Sequence, residues 1–173
     1  MKNLTKLFTL VILLGSFLNL QSQTKFSKRK INNLKNQASQ LVEDDKKMTQ
    51  VMIDKVFSFG ELGFQEFETS KYLSSILEEN GFDVEYKISN IPTSWLATWS
   101  NGNGGPIIAL GSDFDGVPST SQYPGVAYEK PVVEGAPGHG EGHNIGVPIV
   151  ITAALSLKKI MIENNIDGTL LLW

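Results

Sequence analysis

The apolar run Ile107-Ile108-Ala109-Leu110, followed at once by Gly111-Ser112-Asp113-Phe114-Asp115, decides the fold class that this sequence predicts. A short apolar run between glycine-rich segments is typical of a buried strand. Residues 101–105, Asn-Gly-Asn-Gly-Gly, tolerate positive φ, so we expect a tight connection from the preceding strand and therefore a β-hairpin. Acidic residues just beyond the carboxyl end of a strand lie where α/β sheets bind ligands. The run thus predicts a sheet with a candidate site at the end of one strand.

Helical periodicity dominates the chain before this run. Apolar residues recur at three- and four-residue spacing from about Phe26 to Phe59, which predicts one long amphipathic helix or two, interrupted at Asp44 and Asp45. A further helix is predicted from about Phe67 to Asn80, because Asn80-Gly81 supplies a C-terminal stop.

Strand periodicity appears after Gly81 and again at the end of the chain. Residues 84–88 alternate apolar and polar side chains, and Trp95 to Ser100 behaves similarly, so both are predicted strands. Pro148 precedes a predicted helix from Ile149 to Ile162, and residues 169–173 form a predicted buried strand. This order predicts an α/β fold in which a mixed β-sheet is flanked by helices.

The N-terminus predicts export. Lys2 and Lys6 precede the apolar run Leu7 to Leu20, which has the length of a signal-peptide core and is too short and interrupted for a spanning helix. We predict a signal peptide over residues 1–23 and a single mature domain over residues 24–173, located in the periplasm or secreted. No stable membrane anchor is expected after cleavage; an uncleaved N-terminal anchor is the alternative.

Charge and cysteine content exclude several function classes. The chain has 15 basic and 18 acidic residues and a net charge of −3, with no basic stripe, so no nucleic-acid partner is expected. It contains no cysteine, which excludes disulfides, thiolate zinc fingers and a cysteine nucleophile and suits an oxidising compartment. The chemistry must therefore use His, Asp, Glu or hydroxyl groups.

Residues 111–148 form a predicted loop that is too long to be only a connector, and it contains the candidate chemistry. Both histidines, His139 and His143, flank Glu141, and Asp113 and Asp115 lie at the start of the loop. Imidazole and carboxylate groups are common zinc ligands.

Two other interpretations remain open for these residues. The histidines could be solvent-exposed in a flexible loop, and the aspartates could accept backbone N–H groups in a turn. The spacing also differs from the zincin motif His-Glu-x-x-His, because Glu141 follows His139 by two residues and glycines at 138, 140 and 142 disfavour a helix. We therefore expect ligands presented from irregular backbone.

Three stretches of the sequence carry recognisable motifs: residues 59–70, Phe-Gly-Glu-Leu-Gly-Phe-Gln-Glu-Phe-Glu-Thr-Ser, residues 111–118 and residues 138–144. They resemble, in this order, the opening, the strand-terminal RADMDALP motif and the HACGHD metal loop of the zinc-dependent amidohydrolases. These are the hippurate hydrolase, aminoacylase and p-aminobenzoyl-glutamate hydrolase relatives among the di-zinc exopeptidases. The resemblance covers most of the predicted mature chain and implies part of a di-zinc exopeptidase-like catalytic domain.

The resemblance also implies roles for individual residues. His143 matches a metal-ligating histidine, and Glu141 stands where these amidohydrolases have a ligating cysteine. Asp115 matches an aspartate that orients a ligand imidazole. Asp113 and His139 are further candidate ligands: Asp113 matches a ligating histidine of the peptidase branch, whereas His139 matches a histidine that is not usually a ligand. Two divalent ions are implied, Zn²⁺ or, with an oxygen ligand at Glu141, Mn²⁺.

The implied reaction is hydrolysis of an amide bond in an N-acyl amino acid or a peptide-like small substrate. In the family, the general-base glutamates, the other histidine ligands and a lid domain that often mediates dimerisation lie beyond the position of Trp173. We therefore expect an incomplete catalytic domain that is inactive alone, and a homo-oligomer for a full-length protein. The alternatives are a catalytically inactive periplasmic remnant that binds metal or ligand, and a surface interaction domain.

Overall fold

The computed structural model describes residues 26–173. The chain divides into two units, residues 1–33 and residues 34–173. Of the first unit, residues 26–33 are described, and they contain the start of a helix in which the Ser27 hydroxyl accepts a hydrogen bond from the Lys30 amide at 3.2 Å. The predicted signal peptide, residues 1–23, lies outside the described residues.

Within residues 26–173, three helices precede the sheet, as the periodicity predicts. They are α1 (Lys28–Asp44), α2 (Lys46–Phe59) and α3 (Phe67–Glu79). The break between α1 and α2 falls at Asp45, so the predicted interruption is confirmed. Helix α2 ends at Phe59 and is capped by Gly60, whose φ of 55° is the left-handed conformation that closes many helices.

In the part of the chain that the structure describes, four strands form one mixed sheet, which confirms the predicted fold class. The strands are β1 (Asp83–Tyr86), β2 (Trp95–Asn101), β3 (Ile107–Leu110) and β4 (Gly168–Leu172). Their order is β1-β2-β4-β3, with β3 and β4 parallel and the other two pairs antiparallel.

The predicted hairpin between β2 and β3 is wrong, because β4 lies between these two strands. The glycines of the connection do adopt positive φ, but they are needed because the connection passes close to Asp167, just before β4. A Cβ at Gly102 would lie 2.0 Å from Asp167 Oδ1, and one at Gly105 would lie 2.4 Å from the Asp167 carbonyl oxygen. The connection therefore crosses directly over the start of β4, which only glycine permits.

Strand β3 is exposed, although its apolar sequence predicts a buried strand. Ile107 is 70% exposed and Ile108 is 41% exposed. Within the described residues, β3 is an edge strand that pairs with β4 alone. The central strand is β4, in which Leu170 and Leu172 are fully buried, as the sequence predicts for that segment.

The last helix, α4 (His143–Glu163), begins six residues before the predicted start at Ile149. Pro148 therefore lies inside the helix and not before it. The missing Pro148 N–H costs one backbone hydrogen bond, but the side chain of Val147 is fully buried, which stabilises the early turns. The prediction that the metal-site residues all come from irregular backbone is wrong for His143, because it is the first residue of α4.

The hydrophobic core lies between the sheet and the helices. Helix α2 packs against α4, and helices α3 and α4 pack against the sheet. Among the described residues, α4 is the one helix long and apolar enough to cross a membrane by length and composition alone. Its buried side chains, which include Val147, Ile151 and Ala154, belong to this core.

Candidate metal centre

The two ends of the long loop are held together by backbone hydrogen bonds. The Val117 amide donates to the Gly138 carbonyl at 2.8 Å, and the Gly138 amide donates to the Val117 carbonyl at 3.1 Å. The Thr120 hydroxyl also donates to the Gly138 carbonyl, at 2.8 Å. Segments that are more than 20 residues apart in sequence thereby lie side by side.

The segment around Glu61 also binds to the long loop, next to the aspartates. The Glu61 carbonyl accepts a hydrogen bond from the Gly116 amide, and Leu62 forms a parallel bridge with Gly116. The Glu61 carboxylate accepts hydrogen bonds from the Glu68 amide at 3.0 Å and the Thr69 amide at 2.8 Å. Glu61 thus caps the N-terminus of α3 while its backbone holds the aspartate segment, a double role that the periodicity did not reveal.

Phe114 anchors the aspartate segment. Its ring stacks on the buried Trp95 ring, with 6.4 Å between centroids and 12° between planes. Asp113 and Asp115, on either side of Phe114, point toward His143 and not toward Trp95. This alternation is expected, because an extended backbone directs successive side chains to opposite sides. The Asp-Phe-Asp sequence therefore combines one core contact with two site carboxylates.

His143 is the centre of the site. Its Nδ1 lies 2.9 Å from Asp115 Oδ1. Its Nε2 lies 3.6 Å from Asp113 Oδ1 and 3.5 Å from Glu141 Oε2. The structure thus brings together four of the five residues that the sequence singles out, from three separate positions along the loop and the helix.

The donor set fits a divalent metal ion. A proton on Nδ1 is held by Asp115, which leaves the lone pair of Nε2 free for a ligand bond. Ligand atoms bound tetrahedrally at about 2.0–2.2 Å lie about 3.3–3.6 Å apart. The distances from Nε2 to the Asp113 and Glu141 oxygens are 3.6 and 3.5 Å, so each carboxylate is spaced from this nitrogen as two ligands of one ion would be.

Within the described residues, the group whose ligand atoms all lie within 4.8 Å of one another is Asp113, Asp115 and His143, and Glu141 is not part of it. Asp115 Oδ1 faces Nδ1 of His143, whereas Asp113 and Glu141 face Nε2. The orienting role of Asp115 and the ligand role of Glu141, which the family resemblance implies, stay predictions.

Electrostatics around His143 favour its protonated form when no metal is bound. Burial alone lowers its pKa, but the hydrogen bond with Asp115 and the negative charges of Asp113 and Asp115 raise the pKa overall. The same negative charge attracts a divalent cation.

His139 has a different environment. It is only 9% exposed, and its Nε2 lies 3.1 Å from the Val56 carbonyl oxygen at the end of α2. Burial lowers its pKa, against the opposing effect of that hydrogen bond. Its Nδ1 is buried and has no hydrogen-bond partner within residues 26–173. His139 thus anchors the loop on α2, and its role as a metal ligand stays a prediction.

Comparison with known proteins identifies relatives of this chain. No family model matches it. It is 34% identical over 128 residues to one of the subunits of the p-aminobenzoyl-glutamate hydrolase of Escherichia coli (strain K12), a match that covers 74% of the chain and 26% of that protein. It is 29% identical over 112 residues to IAA-amino acid hydrolase ILR1-like 6 of Arabidopsis thaliana, which covers 65% of the chain and 22% of that protein.

The chain is therefore similar in sequence to amidohydrolases over most of its length. Solved structures agree on the fold. An aminohydrolase from methicillin resistant Staphylococcus aureus matches with a TM-score of 0.65 at 20% identity, over 79% of this chain and 33% of that one. A Bacillus subtilis dinuclear metal binding peptidase of the M20 family matches with a TM-score of 0.57 at 24% identity, over 80% of this chain and 34% of that one.

All of these matches cover only part of the relatives' own length. The chain spans about a quarter of the curated relatives, with 26% and 22% coverage, and about a third of the structural neighbours. The predicted resemblance to amidohydrolases is confirmed, and the relatives indicate a hydrolase and support divalent metal use.

Proposed function

We propose that this chain forms part of an exported, metal-dependent amidohydrolase that cleaves the amide bond of an N-acyl amino acid or a peptide-like small substrate. One observation carries the proposal: His143 directs one nitrogen to the orienting carboxylate of Asp115 and the other to Asp113 and Glu141. The names of both curated relatives support the substrate class, since each describes hydrolysis of an acyl group joined to an amino acid.

In this proposal, three residues bind the metal and a fourth orients one of them. His143, Glu141 and Asp113 would hold the metal, and Asp115 would keep the proton on Nδ1 so that Nε2 stays available. A bound divalent ion supplies Lewis acidity toward the amide carbonyl and acidifies a water molecule. The exposed side chains of Asp113 and Glu141, at 69% and 67%, leave the site open to a substrate.

The metal set is part of the proposal. We propose two divalent ions, Zn²⁺ being the first candidate and Mn²⁺ the second, because carboxylate oxygens suit Mn²⁺ better than a thiolate does. A carboxylate at Glu141 also resists the oxidation that a cysteine would undergo in the periplasm or outside the cell, the proposed location. A homo-oligomer is proposed for the whole protein.

Metal binding by the purified chain tests this proposal directly. We expect one or two equivalents of zinc by equilibrium dialysis and metal analysis, and we expect His143→Ala and Glu141→Ala each to lower zinc affinity at least about tenfold. Glu134→Ala is the matched control, since Glu134 is an exposed carboxylate of the same loop. Zinc content unchanged in both site variants would overturn the metal assignment.

Turnover is a separate question, because the chain spans only a quarter of its curated relatives. We expect the 173-residue polypeptide to bind metal without steady amide hydrolysis. An assay with metal-loaded protein and N-benzoylglycine tests this. Hydrolysis that disappears in His143→Ala would contradict the expected inactivity and would also exclude the alternative of a non-catalytic, metal-binding remnant.

A further inference from the structure

The charged residues are unevenly distributed along this chain, although its net charge is only −3. All 18 acidic residues lie after position 42, whereas seven of the 15 basic residues lie before it, so residues 43–173 carry a net charge of −10. The expectation of no basic stripe is wrong for residues 25–35, the basic segment. It contains no acidic residue and five basic residues: Lys25, Lys28, Arg29, Lys30 and Lys35. Such a separation of charge is typical of a segment that binds an anionic partner.

The basic segment also carries apolar side chains that the protein leaves exposed. Helix α1 begins at Lys28, and none of its residues is buried, whereas each of the other described helices buries at least two. Ile31 is 40% exposed, and Phe26, two residues before the helix, is 41% exposed. The apolar stripe of an amphipathic helix normally faces a core. Because α1 buries no residue, the start of its stripe is available to another apolar surface.

Helical spacing arranges the residues of α1 in a way that suits a boundary between lipid and water. Ile31, Leu34 and Ala38 follow one another at three- and four-residue spacing and form one stripe, of which Leu34 and Ala38 are half-buried. At about 100° per residue, Lys30 and Lys35 lie on opposite borders of this stripe. Lysines at such borders can lay their apolar stems along an apolar surface while their ammonium groups stay in water.

We propose that the basic segment binds the surface of an anionic lipid bilayer, with Phe26 and Ile31 at the level of the headgroups and the basic side chains at the lipid phosphates. Basic helices with exposed apolar residues bind membranes in this way. A nucleic acid would neutralise the charges, but its phosphates offer nothing to the apolar stripe. The combination of charge and apolar side chains therefore favours lipid.

The contact is confined to this segment, because an anionic surface repels the net charge of −10 on residues 43–173. A single short helix binds a bilayer reversibly and does not span it. The proposal thus agrees with the expectation that no stable membrane anchor remains after signal cleavage. It does not depend on the amidohydrolase function, but it would keep an exported enzyme at the membrane surface.

Binding of the purified chain to lipid vesicles tests this assignment. Vesicles of phosphatidylcholine alone are compared, by sedimentation at low salt, with vesicles of equal parts phosphatidylcholine and phosphatidylglycerol. We expect at least about tenfold tighter binding to the anionic vesicles, and loss of this preference at about 0.5 M salt. The apolar run Leu7 to Leu20, where it is retained, partitions into both vesicle types, so the ratio of the two affinities reports on charge.

A triple variant locates the charge effect. Lys28→Gln, Arg29→Gln and Lys30→Gln together are expected to weaken binding to anionic vesicles at least about tenfold and to leave binding to neutral vesicles unchanged. A control triple variant is expected to keep its affinity within about twofold, although its net charge changes by the same amount. It replaces by Gln three exposed lysines from other parts of the chain: Lys71, Lys130 and Lys159.

A second variant tests the apolar part of the contact. Ile31→Ser is expected to weaken binding to anionic vesicles about fivefold, because the side chain no longer enters the lipid. Val51→Ser is the matched control, since Val51 is an exposed apolar residue of α2 at 48%. Both positions are exposed, so both variants should fold, and thermal unfolding checks this.

Equal affinity of the unaltered chain for the two vesicle types would overturn the proposal. Equal weakening by both triple variants would also overturn it, because net charge and not the basic segment would then decide binding. Tighter binding to double-stranded DNA than to anionic vesicles, with no effect of Ile31→Ser on either, would replace lipid by a nucleic-acid partner. Zinc binding should be the same in all of these variants, so failure here is distinguishable from failure of the proposed function.

Discussion

Removing the carboxylate of Asp115 is expected to weaken zinc binding about tenfold without unfolding the chain. Asp115 Oδ1 lies 2.9 Å from Nδ1 of His143, so it holds the proton on the nitrogen that faces away from Asp113 and Glu141. Without it, the imidazole is free to rotate and to carry its proton on Nε2, where that proton excludes the metal. Asp115→Ala tests this orienting role.

The magnitude follows from the geometry and exposure of the pair. A hydrogen bond to a charged group contributes about 1.5–3 kcal/mol. The side chains of Asp115 and His143 are 39% and 25% exposed, so water competes and the lower value applies. About 1.5 kcal/mol corresponds to about tenfold in affinity. Asp115→Asn keeps an acceptor oxygen and loses the charge, so about half of this energy and about threefold in affinity are expected.

Competition with a chromophoric zinc chelator at constant pH gives the dissociation constants, and thermal unfolding of the metal-free proteins checks the fold. Glu134→Ala serves again as the control. The order Ala weaker than Asn, and Asn weaker than the unaltered chain, supports an orienting role for Asp115. A zinc affinity of Asp115→Ala within twofold of the unaltered chain, at an unchanged melting temperature, would refute the reasoning.

Four further predictions follow from the same contacts. Because nearby carboxylates raise the pKa of His143 despite its burial, protons compete with zinc, and affinity should fall as pH is lowered through that pKa; a titration from about pH 8 to about pH 5.5 measures this. Glu61→Gln should destabilise the chain by about 1–2 kcal/mol in urea unfolding, since the charge that caps α3 is lost. Gly138→Ala should cost about 1–3 kcal/mol and weaken zinc binding, because its Cβ would lie 2.5 Å from the Thr120 carbonyl oxygen. Glu141→Cys should raise the preference for Zn²⁺ over Mn²⁺ at least about tenfold in metal competition, and an unchanged ratio would argue against a ligand role for this position.

The helices and the mixed sheet could be predicted from periodicity, whereas strand order could not. The hairpin prediction took the glycines at 102 and 105 as turn residues, but their lack of a side chain serves the crossing over Asp167. Local sequence does not encode which distant strand inserts between two neighbours, and here β4 does so. The early start of α4 has a similar cause, since the burial of Val147 outweighs the proline that follows it.

The candidate ligands could be named from the sequence because their chemistry is distinctive. The residues that hold the surrounding segments in place could not. Glu61 and Glu66 look like ordinary surface acids beside a helix start, yet one caps α3 and the other is buried against Thr93. Their positions depend on contacts 7 to 27 residues away, which no short spacing rule reports. The resemblance to the amidohydrolase opening at residues 59–70 was the one signal that marked this segment as important.

The metal centre is held by the protein backbone as well as by its own side chains. The reciprocal bonds between Val117 and Gly138 fix the two loop segments, and the bond from Gly116 to Glu61 fixes the aspartate segment to the start of α3. Phe114 then sets the direction in which the aspartates point. Because each of these contacts joins one protein group to another, the fold itself gathers the candidate ligands, which lowers the ordering cost of binding a metal. The same contacts place a cavity beside the candidate ligands, because Asp113 and Asp115 also line it.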